Sequence, residues 1–172
     1  MRKFALISII TIVIPSMGCA IKQAQNNEEF RQIAPTISYG EHKTYDINNS
    51  YSKAVKNFKK RAEKCFNKEV ILTTTSRTGA TIGKQTLAYT PTLKVGKART
   101  ELSIQKNVSG TGTIMGKIPE KGMYILLADI SKSGEKSKLD IYRLTYMATD
   151  EMVNGIKNWA TGKSLDCPDL TK

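Results

Sequence analysis

Met123-Tyr-Ile-Leu-Leu-Ala128 and Lys138-Leu-Asp-Ile-Tyr-Arg-Leu-Thr-Tyr146, joined through Ser133-Gly134-Glu135-Lys136, decide how this chain folds. The first run is apolar at consecutive positions, as expected of a strand buried on both faces and therefore central in its sheet. The second alternates apolar and polar residues, and the glycine-containing turn predicts that the two pair as a hairpin.

Working upstream, Ala98, Thr100, Leu102 and Ile104 alternate with Arg99, Glu101, Ser103 and Gln105, and Gln85, Leu87, Tyr89, Leu93 and Val95 make an earlier alternating run. Gly96-Lys97 reads as the two-residue turn between them. Pro91 inside the earlier run predicts an edge or a bulge at that point, because proline has no N–H to give to a ladder. Glu69-Val-Ile-Leu-Thr-Thr-Thr75 is β-branched and adds a strand, and a short one is expected around Thr113-Ile114-Met115.

Helices flank these strands. Tyr51, Val55, Phe58, Ala62 and Cys65 recur at spacings of four and three, one face of a helix starting near Asn49 or Ser50. At the other end Thr149 is an N-cap followed by Asp150 and Glu151, Met152, Val153, Ile156, Trp159 and Ala160 form an apolar face, and Gly162 closes the helix. The expected fold is α+β: helix, antiparallel meander of about five strands, helix, with both helices on one face of the sheet. It occupies residues 49–172 as a single domain.

If the two helices lie side by side, Cys65 at the end of the first meets Cys167 beyond the second. The expected disulfide would close a loop of about 100 residues and contribute about 4 to 5 kcal/mol in the chain-entropy model. A free catalytic thiol needs a partner base, and the sole histidine, His42, lies in the expected tether region.

The first residues read as an address. Arg2 and Lys3 precede the apolar stretch Phe4 to Ile14, too short to span a bilayer, and small residues follow it. Pro15-Ser16-Met17-Gly18-Cys19-Ala20 resembles the lipobox of bacterial lipoproteins, with Ser16 where Leu is usual. That resemblance implies removal of residues 1–18 and acylation of Cys19. Ser16-Met17-Gly18 also satisfies the rule of the ordinary signal peptidase, which would release a plain secreted chain starting at Cys19. An exported chain with three cysteines leaves one over once two have paired. Two or three acyl chains hold a protein stably on a membrane where one does not. Ala20, unlike Asp at that position, is compatible with sorting to the outer membrane, so the expected location is the cell envelope with the domain facing the periplasm. Residues 19–48 are expected to be the lipidated N-terminus and a flexible tether reaching about 20 to 30 Å, although residues 36–47 also read as an extended segment lying on the domain.

The segment from the first helix to the end, with Trp159-Ala-Thr-Gly162 and Cys167-Pro168, is similar to a group of small bacterial lipoproteins with a closing Trp-x-x-Gly and Cys-Pro. The resemblance implies export, lipidation and a disulfide, and supplies no activity.

Lys plus Arg number 27 against 15 Asp plus Glu, a formal charge of +12, and the leader removes only Arg2 and Lys3 from that excess. In the cytoplasm such a balance would suggest nucleic acid; export excludes it and leaves anionic lipid, glycan, cell-wall polymer or acidic envelope proteins. Lys56, Lys59, Lys60, Arg61 and Lys64 on the first helix are the candidate anion ligands. One histidine and scattered carboxylates predict neither a metal centre nor a cofactor. Asp129 and Asp140, on neighbouring strands, are the one candidate acid pair, and the runs around Gly79–Gly83 and Gly110–Gly112 lack phosphate-loop spacing and read as hairpin loops. Two functions compete: a non-catalytic interaction or accessory module meeting an envelope protein, and a carrier or sensor of an anionic lipid, glycan or small molecule. An envelope hydrolase ranks below both.

Overall fold

The computed structural model describes residues 23–79, 81–109 and 119–170. The order is α1 (Asn27–Ile33), a 3-10 turn (Ala34–Thr36), β1 (Gly40–Ile47), α2 (Tyr51–Phe66), β2 (Lys68–Thr75), β3 (Thr81–Val95), β4 (Arg99–Ser109), β5 (Met123–Ser133), β6 (Lys136–Leu144) and α3 (Asp150–Thr161). The six strands form one antiparallel sheet in the order β1-β6-β5-β4-β3-β2. Strands β2 to β6 are the expected meander. The sixth strand, β1, pairs with β6 at the far edge.

β5 is interior, and residues 125–130 are all buried. Part of its unbroken apolar run has a local cause: Ile104 pairs with Leu126 and Gln105 with Tyr124, so Ile125 is the extra residue of a bulge. The β5–β6 turn is Gly134-Glu135, between the paired Ser133 and Lys136. The β3–β4 turn falls one residue later than expected, since the Gly96 N–H bonds to the Arg99 carbonyl at 3.0 Å and leaves Lys97 and Ala98 at the tip. Pro91 sits beyond the end of β2, whose pairing with β3 stops at Lys68 and Tyr89. β3 is locally an edge there, as the proline required. The loop containing Gly79 is the β2–β3 hairpin turn; the strand expected around Thr113-Ile114-Met115 lies outside the described residues.

The tether reading is corrected for residues 27–35, while the alternative given for residues 36–47, an extended segment lying on the domain, describes β1. Residues 27–47 are folded, with α1 and the 3-10 turn laid across one face of the sheet and β1 paired to β6 from Gly40 to Ile47. Phe30 and Ala34 pack with Leu127 and Leu144 on that face. Asn26 caps α1 by accepting from the Glu29 N–H at 2.9 Å, and Glu29 returns a carboxylate oxygen to the Gln25 N–H at 3.0 Å. This reciprocal arrangement lets a seven-residue helix start cleanly.

α2 and α3 share the opposite face. Ala54, Phe58, Ala62 and Phe66 from α2 and Met152, Ile156, Trp159 and Ala160 from α3 join the main core over Leu102, Ile104, Ala128 and Ile130. Trp159 is fully buried, edge-on to Phe58 and Phe66 at centroid distances of 6.3 and 5.4 Å. The last carbonyls of α3, which have no partner inside their own helix, accept from neighbouring asparagines: Trp159 O from Asn57 Nδ2 at 2.8 Å and Ala160 O from Asn49 Nδ2 at 3.0 Å. Thr149 caps the start of α3, and Gly162 ends it in the left-handed conformation at φ 72°. Gly155, inside the helix, gives the Pro168 ring room to lie against it; a Cβ there would meet three ring carbons at 3.2 Å.

The expected Cys65–Cys167 disulfide is present, with Cα atoms 5.1 Å apart and a sequence separation of 102. Unfolding in urea with and without dithiothreitol should differ by about 4 kcal/mol, and the Cys65→Ala/Cys167→Ala variant should lose the same amount in either buffer. A difference below about 1 kcal/mol would mean that the tail is held by Trp159 and Pro168 alone.

Candidate functional site

α2 turns its apolar stripe to the sheet, so the intervening cations face out. Lys56, Lys59, Lys60 and Lys64 are exposed and occupy one side of the helix. Among the described residues none of these four forms an ion pair. Arg61 is placed differently: it borders the apolar stripe, is half-buried, and its Nε lies out of solvent without an acceptor. The sequence-predicted anion ligands are therefore four free lysines on a convex surface and one arginine drawn partly inward. Such a face attracts carboxylates or phosphates but encloses neither. Cys19 lies outside the described residues.

The sheet face beneath α1 carries the candidate acid pair Asp129 and Asp140 together with charged partners that the sequence did not single out. Glu101, Asp129, Asp140 and Thr44 are successive register partners in a row across β4, β5, β6 and β1. Asp129 and Asp140 are thus direct cross-strand neighbours, as their positions suggested. Arg31, from α1, reaches down onto this row: Nε and Nη2 donate to Asp129 at 2.6 and 3.0 Å, Nη2 lies 2.7 Å from Glu101, and Nη1 donates to Glu28 at 2.9 Å. Asn27 Nδ2 donates to Glu101 at 2.7 Å, and Arg99 closes on the same carboxylate from the strand.

These contacts set the charge states. Burial disfavours the ionised Glu101, but hydrogen bonds from Asn27, Arg99 and Arg31 outweigh it and lower the carboxyl from 4.5 to about 2. The hydrogen bond to Asp129 holds the Arg31 proton more tightly than usual. Burial pushes the Asp129 carboxyl up, against the pull of Arg31. Asp140 accepts from Thr44 Oγ1 and lies 3.2 Å from His42 Nε2, whose ring stacks on Tyr142 at a centroid distance of 4.2 Å.

An acid pair for bond cleavage needs both carboxylates open to one substrate. Here both Asp129 oxygens are taken by Arg31 under a helix, so the row acts as a seat for α1. A second arginine, the buried Arg143, joins β1 to the start of α3 by donating to Glu41 at 2.6 Å and to the Ala148 carbonyl at 3.1 Å, with Asp150 at 2.6 Å. Its partner Glu41 is held below the usual carboxylate range, first by Lys43 and then, against burial, by Arg143. Among the described residues no group of three or more His, Cys, Asp or Glu is placed to hold a metal ion, and no helix is long and apolar enough to cross a membrane.

No protein-family model matches the chain, and no curated protein is significantly similar to it.

The sequence missed the Arg31 network because its members are far apart in the chain; the one local signal was the cap pair Asn26 and Glu29 just before an apolar Phe30. Arg31→Met should cost about 3 kcal/mol by leaving Asp129 buried and unpaired, and adding Asp129→Leu should recover most of it. The pH dependence has a definite sign. Glu101 stays ionised down to about 2 in the folded protein, while an unfolded glutamate takes up its proton near 4.5. Its stabilisation is therefore complete above about 4.5 and lost as the pH falls towards 2. Urea melts across that window should give a shallower acid slope for Arg31→Met than for the parent.

Proposed function

We propose that the protein is a lipoprotein of the bacterial envelope, anchored through acylated Cys19 in the outer membrane with its domain facing the periplasm, and that it acts as a non-catalytic interaction or accessory module. The cysteine pairing carries this reading. With Cys65 and Cys167 joined, Cys19 is the remaining one of three cysteines, and it stands directly after an apolar leader at a lipobox-like position. A disulfide between buried and half-buried cysteines also fits an oxidising compartment. The module reading is supported by where the charge goes: the arginines and carboxylates that meet each other are spent on seating α1 and β1, and what remains outside is a basic surface.

One observation favours a second reading, a carrier or sensor of an anionic lipid, glycan or small molecule. The four exposed lysines of α2 have no carboxylate partners among the described residues, so an external anion would meet no internal competitor. Co-purification from detergent-solubilised membranes at low and high salt separates the two. A stoichiometric protein partner that survives high salt supports the module; loss of all protein with release of lipid or glycan supports the carrier, because screening weakens contacts between exposed charges first.

The intact mass of the membrane-extracted protein should match a chain starting at Cys19 plus acyl chains, and reductant should add the mass of two hydrogens. Cys19→Ala should move the protein from the membrane to the soluble fraction without changing its urea midpoint. A full-length mass with the leader attached would refute the reading.

A further inference from the structure

The two edges of the sheet are guarded very differently. At one edge β1 presents Glu41, His42, Lys43 and Asp46, and the 3-10 turn closes onto its start through the Gly40 N–H to Ile37 O bond at 2.9 Å. Charges and a covering turn are the usual ways a protein prevents another strand from adding to an edge. At the other edge β2 runs from Lys68 to Thr75, bonded among the described residues only to β3, and seven of its eight residues are exposed. Val70, Ile71 and Leu72 stand at its centre, with Ile71 65% and Leu72 36% exposed. They point to alternate faces, so a strand laid alongside would find an apolar neighbour on both sides. β2 contains no proline and no charge beyond Lys68 and Glu69 at its start, and its only irregularity is at Thr74 and Thr75.

The surroundings specify the charge of what would lie there. From Lys56 to Lys84, along α2 and around the β2–β3 hairpin, Lys56, Lys59, Lys60, Arg61, Lys64, Lys68, Arg77 and Lys84 face only Glu63 and Glu69. Lys84 is the register partner of Thr73, and Lys68, Arg77 and Lys84 are all exposed. α2 packs over β3, the strand next to this edge, and its chain leads into β2 after Asn67. A second copy of the chain would bring the same positive charge to its own edge, so like charges would face each other across the junction.

We infer that β2 is a docking edge that takes an extended, acidic segment of a protein partner as a seventh strand. Backbone hydrogen bonds would supply the ladder, Ile71 and Leu72 the side-chain contacts, and the flanking lysines the preference for Asp and Glu. This rests on the reading of the domain as an interaction module and names the chemistry of its partner.

The test uses end-blocked octapeptides alternating Val with Glu, with a Val/Lys counterpart and a version carrying a central proline. They are titrated into the disulfide-intact domain at low salt, with amide exchange read residue by residue. The Val/Glu peptide should bind and slow exchange within residues 68–75, while the Val/Lys and proline versions should not bind. Ile71→Lys, at a residue exposed enough to leave the fold intact, should weaken binding about tenfold, with an unchanged urea midpoint as control. Binding insensitive to Ile71→Lys, protection confined to α2, equal binding of the proline peptide, or self-association through β2 in the absence of peptide would each overturn the inference. None of those results bears on whether Cys19 is acylated or whether a protein partner co-purifies.

Discussion

The buried indole of Trp159 is where α2, α3, the sheet and the C-terminal tail meet. An indole N–H taken out of water must find an acceptor, and here it donates to the Asp166 carbonyl at 2.9 Å. That bond brings the tail back across α3 just before Cys167, so the residue that needs an acceptor also aims the cysteine at Cys65. Gly162 stops the helix in time for the chain to turn, and Gly155 leaves space for Pro168 after it. Trp159, Gly162, Cys167 and Pro168 are therefore one packing unit. The disulfide fixes an arrangement that the indole has already oriented.

The parts of this fold that could be read from sequence are those held by local periodicity. α2 and α3 show their buried stripes at helical spacing, and β3, β4 and β6 alternate because one face packs on α2 and α3 while the other turns mostly polar residues towards α1 and solvent. β5 reads as central because it is. α1 was not legible for a physical reason: in Asn27–Ile33 only Phe30 is both apolar and buried, and the helix is held down by Arg31 reaching carboxylates some seventy to a hundred residues away. β1 was legible only as an extended segment on the domain, and its partner strand was not. Its inward residues, Tyr45 and Ile47, are too few to make an alternating run, and its place is set by pairing with β6 and by Arg143 gripping Glu41. The candidate anion ligands were legible as a group because the helix that carries them was. Arg61 departed from that group because it sits at the border of the buried stripe, a distinction that spacing alone blurs.

The division of labour between the two cations follows from their chemistry. Arg31 and Arg143 are the ones that bridge several partners in confined places, where a planar guanidinium offers fixed donors to two or three acceptors at once. The lysines of α2 stay hydrated on the surface. The positive balance of the chain therefore lies outside, and lopsidedly: the acids near the arginines are neutralised at the α1 and β1 side, while the stretch around α2 and β2 keeps its excess. Net charge alone could not have located it.

The folded start of the domain also limits how it can face a membrane. Ala24 is already part of the packing under α1, so the path from Cys19 to the fold is about five residues and at most roughly 17 Å when extended. A lipid on Cys19 would hold the α1 side of the sheet close to the bilayer. α2 lies on the opposite side of the same sheet, so its lysines would be turned away from the headgroups of the anchoring leaflet. If Cys19 is acylated as proposed, the short leash argues against α2 as a clamp on the membrane that would carry the protein, and favours a ligand approaching from the side turned away from that membrane, where the β2 edge is also reachable.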